Sequence, residues 1–351
     1  MRKLMFIVVV FMICSCGKKD HQNPELQVCT DTVCVLKENK YLVGGKPNDL
    51  IVLNDSLMAI LYGKDLVVYN LEGEQIDKVG KHGIGPQEYI SPQCMYYDGG
   101  NLYLWCATTL KLLKYDHFGN FISATPALKM AIKDFAIYND RFACLYHGRG
   151  IDGRMITIYD MELEKEIKVI KNERDGDDIL YIARHSGGIC LIDSILYYAY
   201  PDKIQLYSYN LKNGKSSATT AFSDSDFIIS EDIPDKDVVY NNFSLVTDYL
   251  NNNSIVRQVF SNGQNPVLLA ETGMFENANN EWSNKKRKLR YYIFNGETIE
   301  NSGAMSYPER CALIKGIDGF VYTSVGDFEN DSIRVILQKM SLSGITDNPE
   351  F

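Results

Sequence analysis

The sequence is poor in the signatures of recognisable chemistry. No two cysteines stand in a C-x-x-C pair, so a structural zinc site has no basis in spacing. None of the five histidines, His21, His82, His117, His147 and His185, falls in an H-E-x-x-H or comparable ligand spacing. A nucleophile elbow G-x-S-x-G and sialidase-type Asp boxes (S-x-D-x-G-x-T-W) are absent too. The glycines of Gly80–Pro86 lack the Lys-Ser/Thr pair of a P-loop, and no helix pattern follows them; they read as a sharp chain crossing, not a phosphate cradle. No cofactor motif emerges. Positive charge is in deficit, at a formal net charge of −9, which argues against nucleic acid as a partner because such binding consists largely of phosphate neutralisation. Long apolar runs are also missing: the longest, Leu4–Ile13, would rise only about 15 Å as a helix, about half of a bilayer core.

That short run has a different meaning. Arg2 and Lys3 precede it and Ile13-Cys14-Ser15-Cys16 ends it, the parts of a secretory signal. The ending resembles the bacterial lipobox, in which a branched apolar residue at −3 and a small one at −1 precede an acylated cysteine. The expected organisation is a signal peptide over 1–15, lipidation at Cys16, a polar tether over 16–24 and a folded domain over 25–351. Gly17 after the acylated cysteine resembles lipoprotein cargo released to the outer membrane. Each acyl CH₂ contributes about 0.8 kcal/mol of membrane affinity, so two or three chains anchor a soluble domain.

The folded part repeats itself. A marker of the type "aromatic, Asn or Asp, two residues, Gly" closes Tyr69–Gly73, Tyr115–Gly119, Tyr159–Glu164, Tyr209–Gly214, Phe260–Gly263 and Met340–Gly344, mostly at intervals of about 45–50 residues. Asn or Asp with Gly supplies the positive φ of a hairpin turn, here taken to join the third and fourth strands of each repeat. Between markers lie runs rich in Val, Ile, Tyr and Phe; in the first repeat these are Leu50–Leu53, Leu57–Leu61, Leu66–Asn70 and Gln75–Val79. Helical periodicity is almost absent. These features predict an all-β, six-bladed β-propeller of four-stranded antiparallel blades. The wide gap before Gly344 is assigned to an insertion at about 272–288 in the fifth blade, although Phe294-Asn295-Gly296 offers a marker for a seventh. The last repeat lacks a fourth strand, and Leu26–Leu36 is the natural supplier, closing the ring and hiding its edges.

Gly80-Lys81-His82-Gly83-Ile84-Gly85-Pro86-Gln87-Glu88-Tyr89, followed by Pro92 and Asp98-Gly99, is similar to the NHL-type blade and to the G-x-G-P-x-E-[FY] loop of TolB-like six-bladed propeller lipoproteins of Gram-negative envelopes. Gln87 stands where that family more often has Gly or Asn. The resemblance implies a fold and an envelope address without implying a reaction.

Topology then suggests a site. In a blade with strands a to d, the b–c hairpin and the d–a crossing emerge on one face. Lys81 and His82 lie in one crossing, Arg184 and His185 in another, and His147, Arg149 and Arg154 near a b–c loop. They are expected to converge on a basic patch at the channel mouth, suited to a carboxylate, phosphate or acidic glycan. The run Lys285-Lys286-Arg287-Lys288 with Arg290 reads as a solvated loop, or as a contact for anionic lipid. Tyr197, Tyr198 and Tyr200 read as strand packing. Cys106, Cys144, Cys190 and Cys311 sit in apolar runs and read as small buried hydrophobes, while Cys29 and Cys34 fall on opposite faces of one strand. The function expected is ligand binding or protein interaction at the envelope, the alternative being a metal-dependent hydrolase or lactonase using the channel.

Overall fold

The computed structural model describes residues 30–36, 47–148, 153–172, 180, 186–230, 242–272, 276–278, 281–283, 287–306, 311–329 and 332–342. Its strands, in order, are β1 (Thr30–Leu36), β2 (Pro47–Asn54), β3 (Leu57–Tyr62), β4 (Asp65–Asn70), β5 (Gln75–Val79), β6 (Lys81–His82), β7 (Glu88–Tyr89), β8 (Pro92–Tyr97), β9 (Asn101–Cys106), β10 (Lys111–Asp116), β11 (Phe121–Ala124), β12 (Asp134–Tyr138), β13 (Phe142–Tyr146), β14 (Arg154–Asp160), β15 (Glu166–Lys171), β16 (Gly188–Ile192), β17 (Ile195–Ala199), β18 (Tyr207–Asn210) and β19 (Ser216–Ala218). The helix α1 (Phe243–Asn252) follows, then β20 (Ile255–Ser261), β21 (Pro266–Thr272), β22 (Glu276–Ala278), β23 (Glu281–Ser283), β24 (Lys288–Asn295), β25 (Thr298–Ser306), β26 (Cys311–Ile317), β27 (Phe320–Glu329) and β28 (Ser332–Ser341).

Six sheets have four antiparallel strands each: β2–β5, β8–β11, β12–β15, β16–β19, β20-β21-β24-β25, and β26-β27-β28 completed by β1. We number them as blades one to six. The innermost strands β2, β8, β12, β16, β20 and β26 each touch the next, and β26 returns to β2, so the six blades form a closed ring. Closure is made by β1, which pairs antiparallel with β28 from Thr30↔Met340 to Leu36↔Val335. The chain therefore is the six-bladed propeller expected from its repeats. The c–d turn of blade one packs on this closing strand: Gly73 has φ +77°, and a Cβ there would stand 2.1 Å from the Val35 carbonyl oxygen.

A strand between two blades must be apolar on both faces, and period-two alternation then distributes its side chains between neighbours. In β9, Leu102, Leu104 and Cys106 pack with blade one, while Tyr103 and Trp105 pack with blade three. The buried side chains accordingly form six separate clusters, one for each blade-to-blade interface, instead of a single core. Cys34, Cys94, Cys106 and Cys144 are buried in these layers as free thiols and Cys190 is half-buried; Cys29 and the side chain of Cys311 lie outside the described residues.

Two expectations need correcting. The Phe260–Gly263 marker is the a–b turn between β20 and β21, and the c–d turn of blade five is the one at Asn295-Gly296, joining β24 to β25. The near absence of helix also fails at α1, which lies in the crossing from β19 to β20. Ten residues are too few for a stable isolated helix. Tertiary packing holds this one: Tyr249 is buried, with Val246 and Leu250 beside it, against the layer between blades three and four. Between β21 and β24 the chain adds the small β22–β23 hairpin.

Candidate functional site

The inner strands all begin at the same end of the channel, and there the d–a crossings and b–c turns enclose a cavity of about 1160 Å³. A smaller cavity of about 480 Å³ opens at the other end. Asp134, Gln258 and Lys315 line both and form the waist between them.

The waist is braced by side chains reaching from one inner strand to the next. Asp49 Oδ2 accepts the Met95 amide of blade two at 2.8 Å, and its Oδ1 accepts its own neighbour Leu50 at 2.9 Å. Asp134 repeats the pattern two blades on, accepting Phe135 N at 2.9 Å and the Ile189 amide of blade four. In blade five Gln258 accepts the Gly316 amide at 2.8 Å and donates to the Gly316 carbonyl at 3.3 Å. Lys315 projects between the two aspartates, its Nζ 2.9 Å from Asp49 Oδ1. Burial opposes its charge, but Asp49 and Asp134 outweigh that and hold the ammonium above its ordinary range. Burial pushes Asp134 up to about 6, against the opposing pull of Lys315.

The mouth above the waist carries nitrogen-bearing side chains from several segments. Lys64 on the b–c turn of blade one, His82 on the first crossing and Lys129 on the second are exposed at the rim. Lys133, deeper on the second crossing, donates from Nζ to Ser186 Oγ at 3.1 Å, and burial pushes its pKa down to about 8. Arg257 enters the wall from β20 and is paired with Glu271, a buried carboxylate that also receives Arg287. Arg287 in turn donates to the carbonyls of Leu250 at 2.9 Å and Asn251 at 3.3 Å, satisfying the end of α1. Among the described residues no group of three or more His, Cys, Asp or Glu side chains is placed to hold a metal ion.

Of the residues singled out from the sequence, His82 and His147 line the mouth and Lys81 stands exposed beside it in β6. Arg149, Arg184 and His185 lie outside the described residues. His147 is not the cation expected of it. It is buried, its ring nitrogens sit 2.9 Å from the Ala131 carbonyl and 3.1 Å from Thr157 Oγ1, and burial holds its pKa down. Arg154 is turned to Glu166 on the neighbouring strand. The basic run in blade five is no solvated loop where it is described: Arg287 is buried on Glu271, and Arg290 pairs with Asp224 at 2.7 Å and Asp226 at 2.6 Å. Both guanidiniums are engaged by carboxylates of the fold, Arg287 in the interior and Arg290 half-buried. Tyr198 and Tyr200 are buried; Tyr198 stacks on Tyr207, and Tyr200 meets Tyr207 edge to face.

The glycine loop is a fixed crossing. Gly83 N donates to Tyr89 O at 3.1 Å, Gly85 N to the Glu88 carboxylate at 2.8 Å, and Tyr89 OH to Val79 O at 2.9 Å. Lys64, Lys129, Lys133, Ser186 and Arg257 were not singled out from sequence. Except for Arg257, which lies in β20, their one legible signal is position, in turns and crossings that topology sends to the same face.

No curated protein sequence matches the chain. Among solved structures it is similar to a protein of Bacteroides fragilis described as exported, at TM-score 0.64 and 13% identity over 91% of this chain and 96% of that one. It is also similar to a DUF4221 family member of Bacteroides vulgatus, at TM-score 0.62 and 12% identity over 90% and 98%. At such identities the likeness speaks for the fold. The sequence profile described as DUF5128, 6-bladed beta-propeller, matches residues 45–269, and with blades, closure and waist in place the chain belongs to that family.

Proposed function

We propose that the propeller is a binding module of the bacterial envelope that takes an anionic ligand, a carboxylate-bearing glycan or small molecule, in the 1160 Å³ mouth. The observation that carries this reading is the distribution of charge. Lys64, Lys129 and Lys133, with the His82 imidazole beside them, come from the b–c turn of blade one and the first two crossings to one concave surface, whereas Asp49 and Asp134, the carboxylates at its floor, are committed to backbone amides and Lys315. On a chain of net charge −9 this local reversal of sign concentrates an anion where the wall is concave. Calorimetric titration with oligogalacturonate and with its neutral methyl ester tests it. The acid form should bind and the ester should not, and Lys64→Ala with Lys129→Ala should weaken binding about tenfold, the equivalent of about 1.4 kcal/mol. Equal affinity for acid and ester would sink the reading.

The address belongs to the same proposal. A signal over 1–15, acylation of Cys16 and a tether over 16–24 deliver the domain to the envelope, with an outer-membrane anchor following from Gly17. The similarity to an exported Bacteroides protein and the TolB-like reading of the Gly80–Tyr89 loop support it. Intact-mass analysis of detergent-extracted protein checks the anchor: a mass matching an acylated Cys16 is expected, and an unmodified thiol there would refute it.

A further inference from the structure

We propose that Ser186 and Lys133 form a nucleophile–base pair that transfers the acyl group of an ester to Ser186 in the channel mouth. This goes beyond binding, and it stands on a different observation, the placement of two side chains.

Ser186, itself buried, sits two residues before β16 and Lys133 immediately before β12, so the second and third blade crossings bring them together on the wall of the large cavity. Their Nζ–Oγ separation of 3.1 Å is the reach a general base needs. Both are held in place. Tyr146 OH donates to the Ser186 carbonyl at 2.6 Å and fixes its backbone. The next residue, Gly187, has φ +66°, and a Cβ there would stand 2.1 Å from the same hydroxyl, so the chain passes Tyr146 where only glycine fits. The Lys133 backbone amide donates to Tyr146 O at 2.7 Å, and its alkyl chain and amine lie against Gly148, where a Cβ would approach Cδ, Cε and Nζ to 2.8 Å.

As an ammonium, Lys133 donates to Ser186. Burial lowers its pKa to about 8, so a fraction is neutral at pH 7 and the same contact then runs from the hydroxyl to the amine lone pair. Tyr146 and His147 beside it are kept uncharged by burial, and Asp134 is the carboxylate next in sequence. In the step, Oγ bonds to the ester carbonyl carbon while its proton passes to Nζ and the carbonyl π pair moves to oxygen. Collapse breaks the bond to the alcohol, which leaves with the proton from Nζ. Water then attacks the acyl-serine, giving its proton to Nζ; the carboxylic acid departs and Oγ recovers the proton. No oxidant, reductant or metal enters the balance. Ser–Lys pairs are an established variant of serine nucleophile activation on other folds.

A fluorophosphonate probe on the full-length protein, read by peptide mass spectrometry, tests the pair. One adduct on Ser186 is expected, at a rate rising about tenfold from pH 7 to pH 8.5 and lost in Ser186→Ala. Lys133→Met and Lys133→Arg should each slow labelling at least tenfold, since neither supplies a neutral amine, with circular dichroism confirming that each variant is folded. No adduct on Ser186 of the folded wild-type chain up to pH 9.5, or an adduct indifferent to both Lys133 variants, overturns the proposal. Retained oligogalacturonate binding beside absent labelling would leave the binding reading intact, so the two fail separately.

Discussion

Two lysines on the channel wall, one at the waist and one at the mouth, show how differently the same chemistry is used. Lys315 is half-buried between Asp49 and Asp134, and those two charges hold it protonated despite the cost of burial. Lys133 is also half-buried, but a serine hydroxyl faces its amine and burial prevails, lowering its pKa to about 8. The wall repeats the first solution at Arg257–Glu271–Arg287, where one carboxylate serves two guanidiniums. Charges matched by opposite charges act as struts, between blades six and one at Lys315–Asp49 and within blade five at Glu271. At Lys133 the amine meets a serine hydroxyl on the cavity wall instead.

The widest test of this contrast is Glu271→Ala. It leaves Arg257 and Arg287 without their shared counter-charge and should cost about 3–5 kcal/mol, seen as a lower urea midpoint. Asp49→Ala should cost somewhat less, about 2–4 kcal/mol, because Asp134 remains to face Lys315 while the Met95 amide loses its acceptor. If either variant unfolds like the wild type, the struts are decorative.

A smaller effect follows from pH. The folded pKa of Asp134, about 6, lies above the ordinary carboxylate value, so the folded state binds the proton more tightly than the unfolded one. Its contribution is therefore complete below about pH 4 and is lost as pH rises through about 6. The stability of the wild type relative to Asp134→Asn should fall by on the order of 1–2 kcal/mol over that window. A flat difference would show that Asp134 titrates normally. At the bottom of the scale stands Lys133→Met, which removes a half-buried amine whose charge burial disfavours and should change stability by less than about 1 kcal/mol. A loss as large as that of Glu271→Ala would make Lys133 another strut and erase the contrast.

Much of the architecture could be read along the chain. In the first repeat the strands expected at Leu57–Leu61, Leu66–Asn70 and Gln75–Val79 match β3, β4 and β5 almost residue for residue: β3 and β4 lie between blades and are apolar on both faces, while the mostly exposed β5 is marked off by the turn residues at its ends. The supply of a closing strand by the N-terminal run was legible for a related reason, since three strands in the last repeat leave an edge uncovered. Blade five was harder. Its a–b turn at Asn262-Gly263 and its c–d turn at Asn295-Gly296 carry the same Asn-Gly signal, and local chemistry does not say which pair of strands a turn joins. The helix α1 was missed because its ten residues are stabilised by contacts with blades three and four, which no local pattern encodes.

The site was legible only as a face. Counting strands placed Lys81, His82 and His147 at one end of the disc, but the fate of each charge depended on partners far away in sequence. His147 is kept uncharged by burial, Arg290 is engaged by Asp224 and Asp226, and Lys133 meets Ser186 across 53 positions.

What the sequence settled by itself is the repeat: alternation, turn residues and interval are local properties, and six units of that kind can bury their faces only against one another. What the tertiary structure alone decided is which polar groups meet at the axis. Only closure of the ring brings six inner strands within hydrogen-bond reach, and there distance and burial, which no local pattern contains, determine whether an amine keeps its proton.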